Sequence, residues 1–144
     1  MSTGEAMTVR ADVLATVQKC VAESLAIPPS DITPGSRLID DLGADSLDFV
    51  DIVFMLDHEL DIRVKESEFN FITRLDFSSA EVMKNGFLTD EVVSRLADWL
   101  PAMKDVPDRT KITPRQLFSL ITIEAMCIVA ERRLRALGRL REDG

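Results

Sequence analysis

The chain has 144 residues, 46% of them hydrophobic and 29% charged, with a formal net charge of −8. That length holds one domain with a real core, or a small domain with an elaboration. The acidic balance argues against nucleic acid or an anionic membrane surface as the main partner.

The first residues, Met1-Ser2-Thr3-Gly4-Glu5, lack the basic start and apolar run of a signal peptide. Leu117 to Ala130 is nearly apolar, but Ser119, Thr122 and Glu124 interrupt it and it is too short to span a bilayer. The expectation is a cytoplasmic protein with no integral membrane segment. Cys20 and Cys127 each lie in an apolar helical context, which points to buried thiols in a reducing compartment; their spacing leaves a disulfide open.

Residues 1–7 form a short polar tail, expected to be flexible. Thr8 caps a first helix reaching about Leu25, with Val9, Val13, Val17 and Cys20/Val21 as its apolar stripe, and Pro28-Pro29 stops it. The stretch from Ile27 to Asp41 contains Pro28, Pro29, Pro34 and Gly35, so it reads as a loop pinned by Ile32, Leu38, Ile39 and Leu42.

A second helix follows from about Ser46 to Glu59. Apolar residues recur at Leu47, Val50 and Phe54 and at Phe49, Val53, Leu56 and Leu60, predicting a broad buried face. Gly43 lets the chain turn, and either Asp45 or Ser46 can cap the orphan amides of the first turn. Between Leu38 and Asp61 stand eight acids and no Lys or Arg, a directional field for a basic partner.

Further on, Glu66 to Thr73 reads as a short helical piece with Phe69 and Ile72 inward. Ser78-Ser79-Ala80-Glu81 reads as a capping box ahead of Val82 and Met83, with Asn85-Gly86 as the stop. Thr89 caps another helix with the stripe Val92, Val93, Leu96, Trp99 and Leu100, and Leu88 with Val93 forms a hydrophobic staple. Residues 101–111 read as a connector. Thr113-Pro114-Arg115-Gln116 combines a cap, proline at the first helical position and a capping-box Gln, and predicts one long helix continuing past Glu131. Arg132, Arg133, Arg135, Arg139 and Arg141 then form a basic stretch. It reads as a solvated helix C-terminus, or as a segment that folds back on the acidic second helix or recruits an acidic partner.

The run Asp41-Leu42-Gly43-Ala44-Asp45-Ser46-Leu47-Asp48 resembles the phosphopantetheine attachment site of acyl carrier proteins, with the resemblance spanning roughly residues 8–65. It implies an all-α fold, an acyl-carrier-like four-helix bundle with an extra helical elaboration between the second and last helices. The chain then divides into a carrier core (8–65), a helical elaboration (66–111), a last long helix (112–135) whose first half is the family's final helix, and a basic tail (136–144). The resemblance further implies that Ser46, flanked by Asp45 and Leu47, carries a covalent 4'-phosphopantetheine arm holding acyl chains as thioesters. Asp41, Asp48, Asp51, Asp57 and Glu59 would dock partners, and Val50 and Phe54, with Leu47, would border an acyl cavity. The implied partners are a phosphopantetheinyl transferase and acyl-chain synthesising and transferring enzymes with basic docking patches, acting on a carrier, expected to be monomeric, that is no enzyme itself. Asp45 to Phe54 is in the style of the specialised carriers serving long-chain acyl assembly for lipid A.

Other chemistries fit less well. One His and two separated Cys do not assemble a standard zinc site, and Asp41 to Glu59 lacks the alternating loop ligands of an EF-hand. His58 lies twelve residues beyond Ser46 on the same helix, about 18 Å along its axis, too far for a hydrolytic Ser-His pair. A peptidyl carrier and an unmodified acidic helical adaptor remain as alternative functions.

Overall fold

The spacing of Val13, Val17, Cys20 and Val21 puts them on one side of a helix. The computed structural model, which describes residues 10–139, buries all four on α1 (Ala11–Leu25). Thr8, Val9 and the 1–7 tail lie outside the described residues, as does Arg141. The N-cap position is Arg10, whose backbone N–H donates to Glu131 at 2.7 Å. Ala26 leaves the helix in a left-handed conformation, two residues before Pro28. The loop that follows is pinned by Ile32 and Leu38, both buried, with Ile39 and Leu42 half-buried against the core.

Helix α2 (Ser46–Leu60) packs along α1 and buries Phe49, Ile52, Val53 and Leu56. The broad buried face expected of it is narrower than the pattern implied: Leu47 is 74% and Phe54 58% exposed, and Val50 is half-buried. A helix lying on one side of a core buries one stripe only, so apolar residues beyond that arc face water. Helix α3 (Glu68–Thr73) is capped by Ser67 and turns Phe69 and Ile72 inward, as expected.

The Ser78–Glu81 capping box does not start a helix. Asp76 accepts hydrogen bonds from the Ser78 N–H and hydroxyl, and Ser79 Oγ from the Glu81 N–H, so the side chains close a turn. A short antiparallel hairpin follows, β1 (Met83–Lys84) paired with β2 (Phe87–Leu88). Asn85 (φ 56°) and Gly86 (φ 87°) form its two-residue turn, both in the left-handed region that type I′ demands. An added Cβ at Gly86 meets nothing within 4 Å. Gly86→Ala is therefore expected to cost about 1 kcal/mol, all of it backbone conformational energy. Urea denaturation checks this; an unchanged midpoint would contradict the turn geometry.

Helix α4 (Asp90–Ala97) buries Val92, Val93 and Leu96, and Trp99 and Leu100 are buried after it. Thr89 occupies the N-cap position, but its hydroxyl donates to the Glu81 carbonyl and gives no cap bond. The 101–111 connector folds into two 3-10 turns, with Ala102 and Met103 buried in the first. These residues share one hydrophobic core with α1 and α2, so 66–111 is an integral part of the fold. Edge-to-face aromatic contacts tie the parts together: Trp99 to Phe69 (6.3 Å), Phe69 to Phe49 (6.1 Å), Phe49 to Phe118 (6.4 Å) and Phe118 to Phe77 (6.4 Å).

The single long last helix is also corrected. Thr113 caps α5 (Pro114–Ser119) through the Gln116 N–H, but the chain breaks at Leu120–Thr122 and restarts as α6 (Ile123–Ala136). Thr122 caps the new helix by accepting from the Ala125 N–H, and backbone groups at the break bond to residues 34–38 instead of continuing a helix. It is α6 that packs along α1, in place of the first half of the predicted helix.

The basic stretch folds back. Arg132 bonds Glu68 (3.2 Å) and Asp98 (2.7 Å), Arg133 bonds Glu66 and the Ile62 carbonyl, and Arg139 donates to the carbonyls of Leu60 and Asp61. Those carbonyls are orphans of the α2 C-terminus, so the contact is to the end of α2 and not to its acidic side chains.

Candidate functional site at the start of the second helix

A polar side chain at a helix start is spent if it caps the helix. Here the cap is Asp45: its carboxylate accepts from the Asp48 N–H (2.8 Å), and the Asp48 carboxylate accepts from the Asp45 N–H (3.0 Å). The choice between Asp45 and Ser46 is thereby settled. Ser46, the first residue of α2, is exposed, and the helix end does not need its hydroxyl. The Phe49 N–H goes to the Asp45 carbonyl (3.0 Å), which leaves the N–H groups of Ser46 and Leu47 as the outward-facing donors of the first turn.

The loop presenting Ser46 is held from two directions. Within it, the Arg37 N–H donates to the Asp41 carboxylate (2.7 Å), and Gly43 and Ala44 donate to the carbonyls of Ile39 and Leu38. Gly43 has φ 80° and Ala44 is buried. From outside, the α5–α6 break receives it: Leu38 N–H to Ile121 carbonyl (2.9 Å), Ile123 N–H to Ser36 carbonyl (3.0 Å), Glu124 N–H to Pro34 carbonyl (2.8 Å), and the Arg37 guanidinium to the Ser119 carbonyl (3.3 Å). Thr122 is therefore a supporting residue of the site that sequence reasoning passed over. Its signal was a β-branched cap candidate three residues before Ala125, hidden inside an apolar run.

The five expected docking acids divide. Asp41 is used in the loop turn, Asp48 in the cap, and Asp57 accepts from the Val64 N–H (3.2 Å). Glu59 pairs with Lys19 at 3.4 Å, an exposed pair of little energetic weight. Asp51 is exposed and, with Asp45, keeps the Ser46 end of α2 negative. On the outward arc of α2, Asp51 stands among Leu47, Phe54 and His58, all exposed. Phe54, Met55, His58 and Asp51 line an open groove of about 590 Å³ against Glu23 and Ser24 of α1. Phe54 thus borders a surface groove and does not project into the core.

Among the described residues no group of His, Cys, Asp and Glu is placed to hold a metal ion, and no helix is long and apolar enough to cross a membrane. Both cysteines are free and buried; burial pushes the Cys20 thiol up to about 11 and the Cys127 thiol up to about 12.

Over 67 residues the chain is 36% identical to the acyl carrier protein of Thermotoga maritima, an alignment covering 46% of this chain and 83% of that protein. The chain belongs to the acyl carrier protein family. It is also 54% identical over 48 residues to the acyl carrier protein AcpXL of Mesorhizobium japonicum, covering 33% of this chain and about half (52%) of that relative. The family model described as a phosphopantetheine attachment site matches residues 15–78. No solved structure matches. Within this acyl carrier family member the match takes in most of α1, the loop, Ser46, α2 and α3; it runs past residue 65 into the segment expected as elaboration. The family is one of carriers and not of catalysts.

Proposed function

We propose that Ser46 carries the 4'-phosphopantetheine arm and that the protein holds acyl chains on it for partner enzymes. The observation that carries this reading is the exposed Ser46 at the first position of α2, its hydroxyl left over by the Asp45–Asp48 cap, inside the matched attachment-site region. The residues present suit the group: the N–H groups of Ser46 and Leu47 and the positive end of α2 favour a phosphate, against partial opposition from Asp45 and Asp48. When bound, the arm supplies a terminal thiol on which acyl groups are held as thioesters.

The chain's own contribution is to present, steer and exclude. Asp45 and Asp51 draw a basic partner towards the helix start, with Glu59 extending the acidic face to the far end of α2, and Leu47 and Phe54 give that partner apolar area to cover. Asp48 and Asp57 act by holding the two ends of α2 in place, and Asp41 by shaping the loop. Val50, half-buried between the outward arc and the core, borders the path an acyl chain would take inward. The transferase and acyl-handling enzymes are the partners, and the specialised reading, akin to lipid A long-chain carriers, rests on the run Asp45–Phe54 and on the extra segment after α3. A reducing, cytoplasmic setting fits two free thiols and an arm that must stay reduced.

The cysteines make this testable by chemistry. With thiols pushed to about 11 and about 12, the thiolate fraction at pH 8 is on the order of one in a thousand or less, and both are sterically covered. The arm-loaded protein is expected to titrate one thiol with a disulfide reagent when folded and three when denatured. Two or three fast thiols in the folded state would contradict the buried assignment; none would contradict the arm.

A further inference from the structure

A second surface, beyond α2, sets exposed cations over an apolar floor. A cleft of about 570 Å³ lies along α3 and the turn after it, with Lys65, Arg74 and Arg95 exposed at its edge and Phe71, Leu75 and Val82 half-buried in its floor. Three carboxylates also border it, and one of them has a cation partner outside the cleft. Glu66 pairs with Arg133 at 3.1 Å, and Asp76 takes both the N–H and the hydroxyl of Ser78, which holds its carboxyl below the ordinary value. Hydrogen bonding from Ser78 favours the charged form of Asp76, so Asp76 and Glu81 stand against three cations, a local excess of one positive charge. Among the described residues none of Lys65, Arg74 and Arg95 has a carboxylate within ion-pair distance.

Arg95 is also preorganised. Its guanidinium carbon lies 3.8 Å from the Phe71 ring centroid. That contact orders the side chain while its N–H donors stay available for a carboxylate, the geometry in which arginine recognises oxyanions best.

We propose that this cleft docks an acidic amphipathic segment of a partner protein. Arg95, Arg74 and Lys65 receive its carboxylates, and Phe71, Leu75 and Val82 receive an apolar side chain between them. The floor decides for a peptide over a small anion, because a free phosphate would leave that apolar area in water. A partner reading both surfaces would meet acid at α2 and base at α3, which fixes its orientation. This inference stands apart from the arm on Ser46.

The test uses the full chain and a short fluorescent peptide of alternating Glu and Leu, followed by anisotropy and by amide shifts in 15N-labelled protein. Because the chain as a whole repels an anion, saturable binding there requires the local cations. The expected result is saturable binding with shifts concentrated in residues 65–95, weakened about tenfold or more by Arg74→Gln with Arg95→Gln, and unchanged by Arg115→Gln, an exposed cation elsewhere. A Lys-Leu peptide is expected not to bind. No saturable binding, shifts lying outside 65–95, or equal weakening by Arg115→Gln would overturn the proposal. So would inorganic phosphate shifting the same amides and displacing the peptide at similar concentration, which would mark a small-anion site.

Discussion

Phe49→Ala is expected to destabilise the fold by about 3–5 kcal/mol, the range for deleting a fully buried aromatic side chain. Phe49 is 0% exposed and stands in the middle of the aromatic series, edge-on to Phe69 on one side and Phe118 on the other. Removing it opens a cavity and also parts α2 from both α3 and α5, whose rings have no second partner on α2 in that series. Trp99, the single tryptophan, reports the loss: it packs on Phe69, and its buried indole N–H has no hydrogen-bond partner among the described residues. Urea unfolding followed by its fluorescence gives the number directly. Leu47→Ala, two residues away but 74% exposed, should stay within about 0.5 kcal/mol of the native chain. Similar losses for the two variants would contradict the division of α2 into an inner and an outer arc.

Phe54→Ala is expected to have the reverse profile: unchanged stability and about tenfold or more weaker engagement of a partner that docks on α2, since exposed aromatic anchors carry a large share of binding energy. Phe54 is 58% exposed and borders the α1–α2 groove with Asp51 and His58. Asp51→Lys should act mainly on association rate and weaken further as salt falls, because it replaces attraction with repulsion for a basic partner. Transferase kinetics with each variant separate the two effects. A Phe54→Ala chain that binds and is modified normally would remove the apolar part of the docking surface from the account.

What could be read without coordinates was local. Asp45-Ser46-Leu47 announces a capped helix start because a cap is a matter of three or four neighbouring residues, and the structure only had to decide which of the two candidates does the capping. Thr113-Pro114 was legible for the same reason. Phe69, Ile72, Val92, Leu96 and Trp99 were placed inward by their spacing, and all are buried.

The misses came where local signals compete or where the deciding contact is distant. Ser78-x-x-Glu81 and Asn85-Gly86 offered a helix start and a hairpin turn within nine residues. Asp76, upstream, captured the serine and the hairpin won. The break at Thr122 depends on backbone partners at Pro34, Ser36 and Leu38, more than eighty residues away, and apolar periodicity continues unbroken across it. Leu47 and Phe54 were assigned inward because α2 is apolar around too much of its circumference for spacing to choose the buried arc. The arginine stretch was read as either solvated or folded back; the distant partners of Arg132, Arg133 and Arg139 decide between them.

The central claim is that the Ser46 hydroxyl is the attachment point, and one measurement addresses it most directly. Intact mass is recorded for the native chain and for Ser46→Ala before and after incubation with coenzyme A and a broad-specificity phosphopantetheinyl transferase. The account predicts a gain of one phosphopantetheine by the native chain and none by the variant, with both showing the same circular dichroism. A folded native chain that gains nothing, or a Ser46→Ala chain that still gains the group, would contradict it.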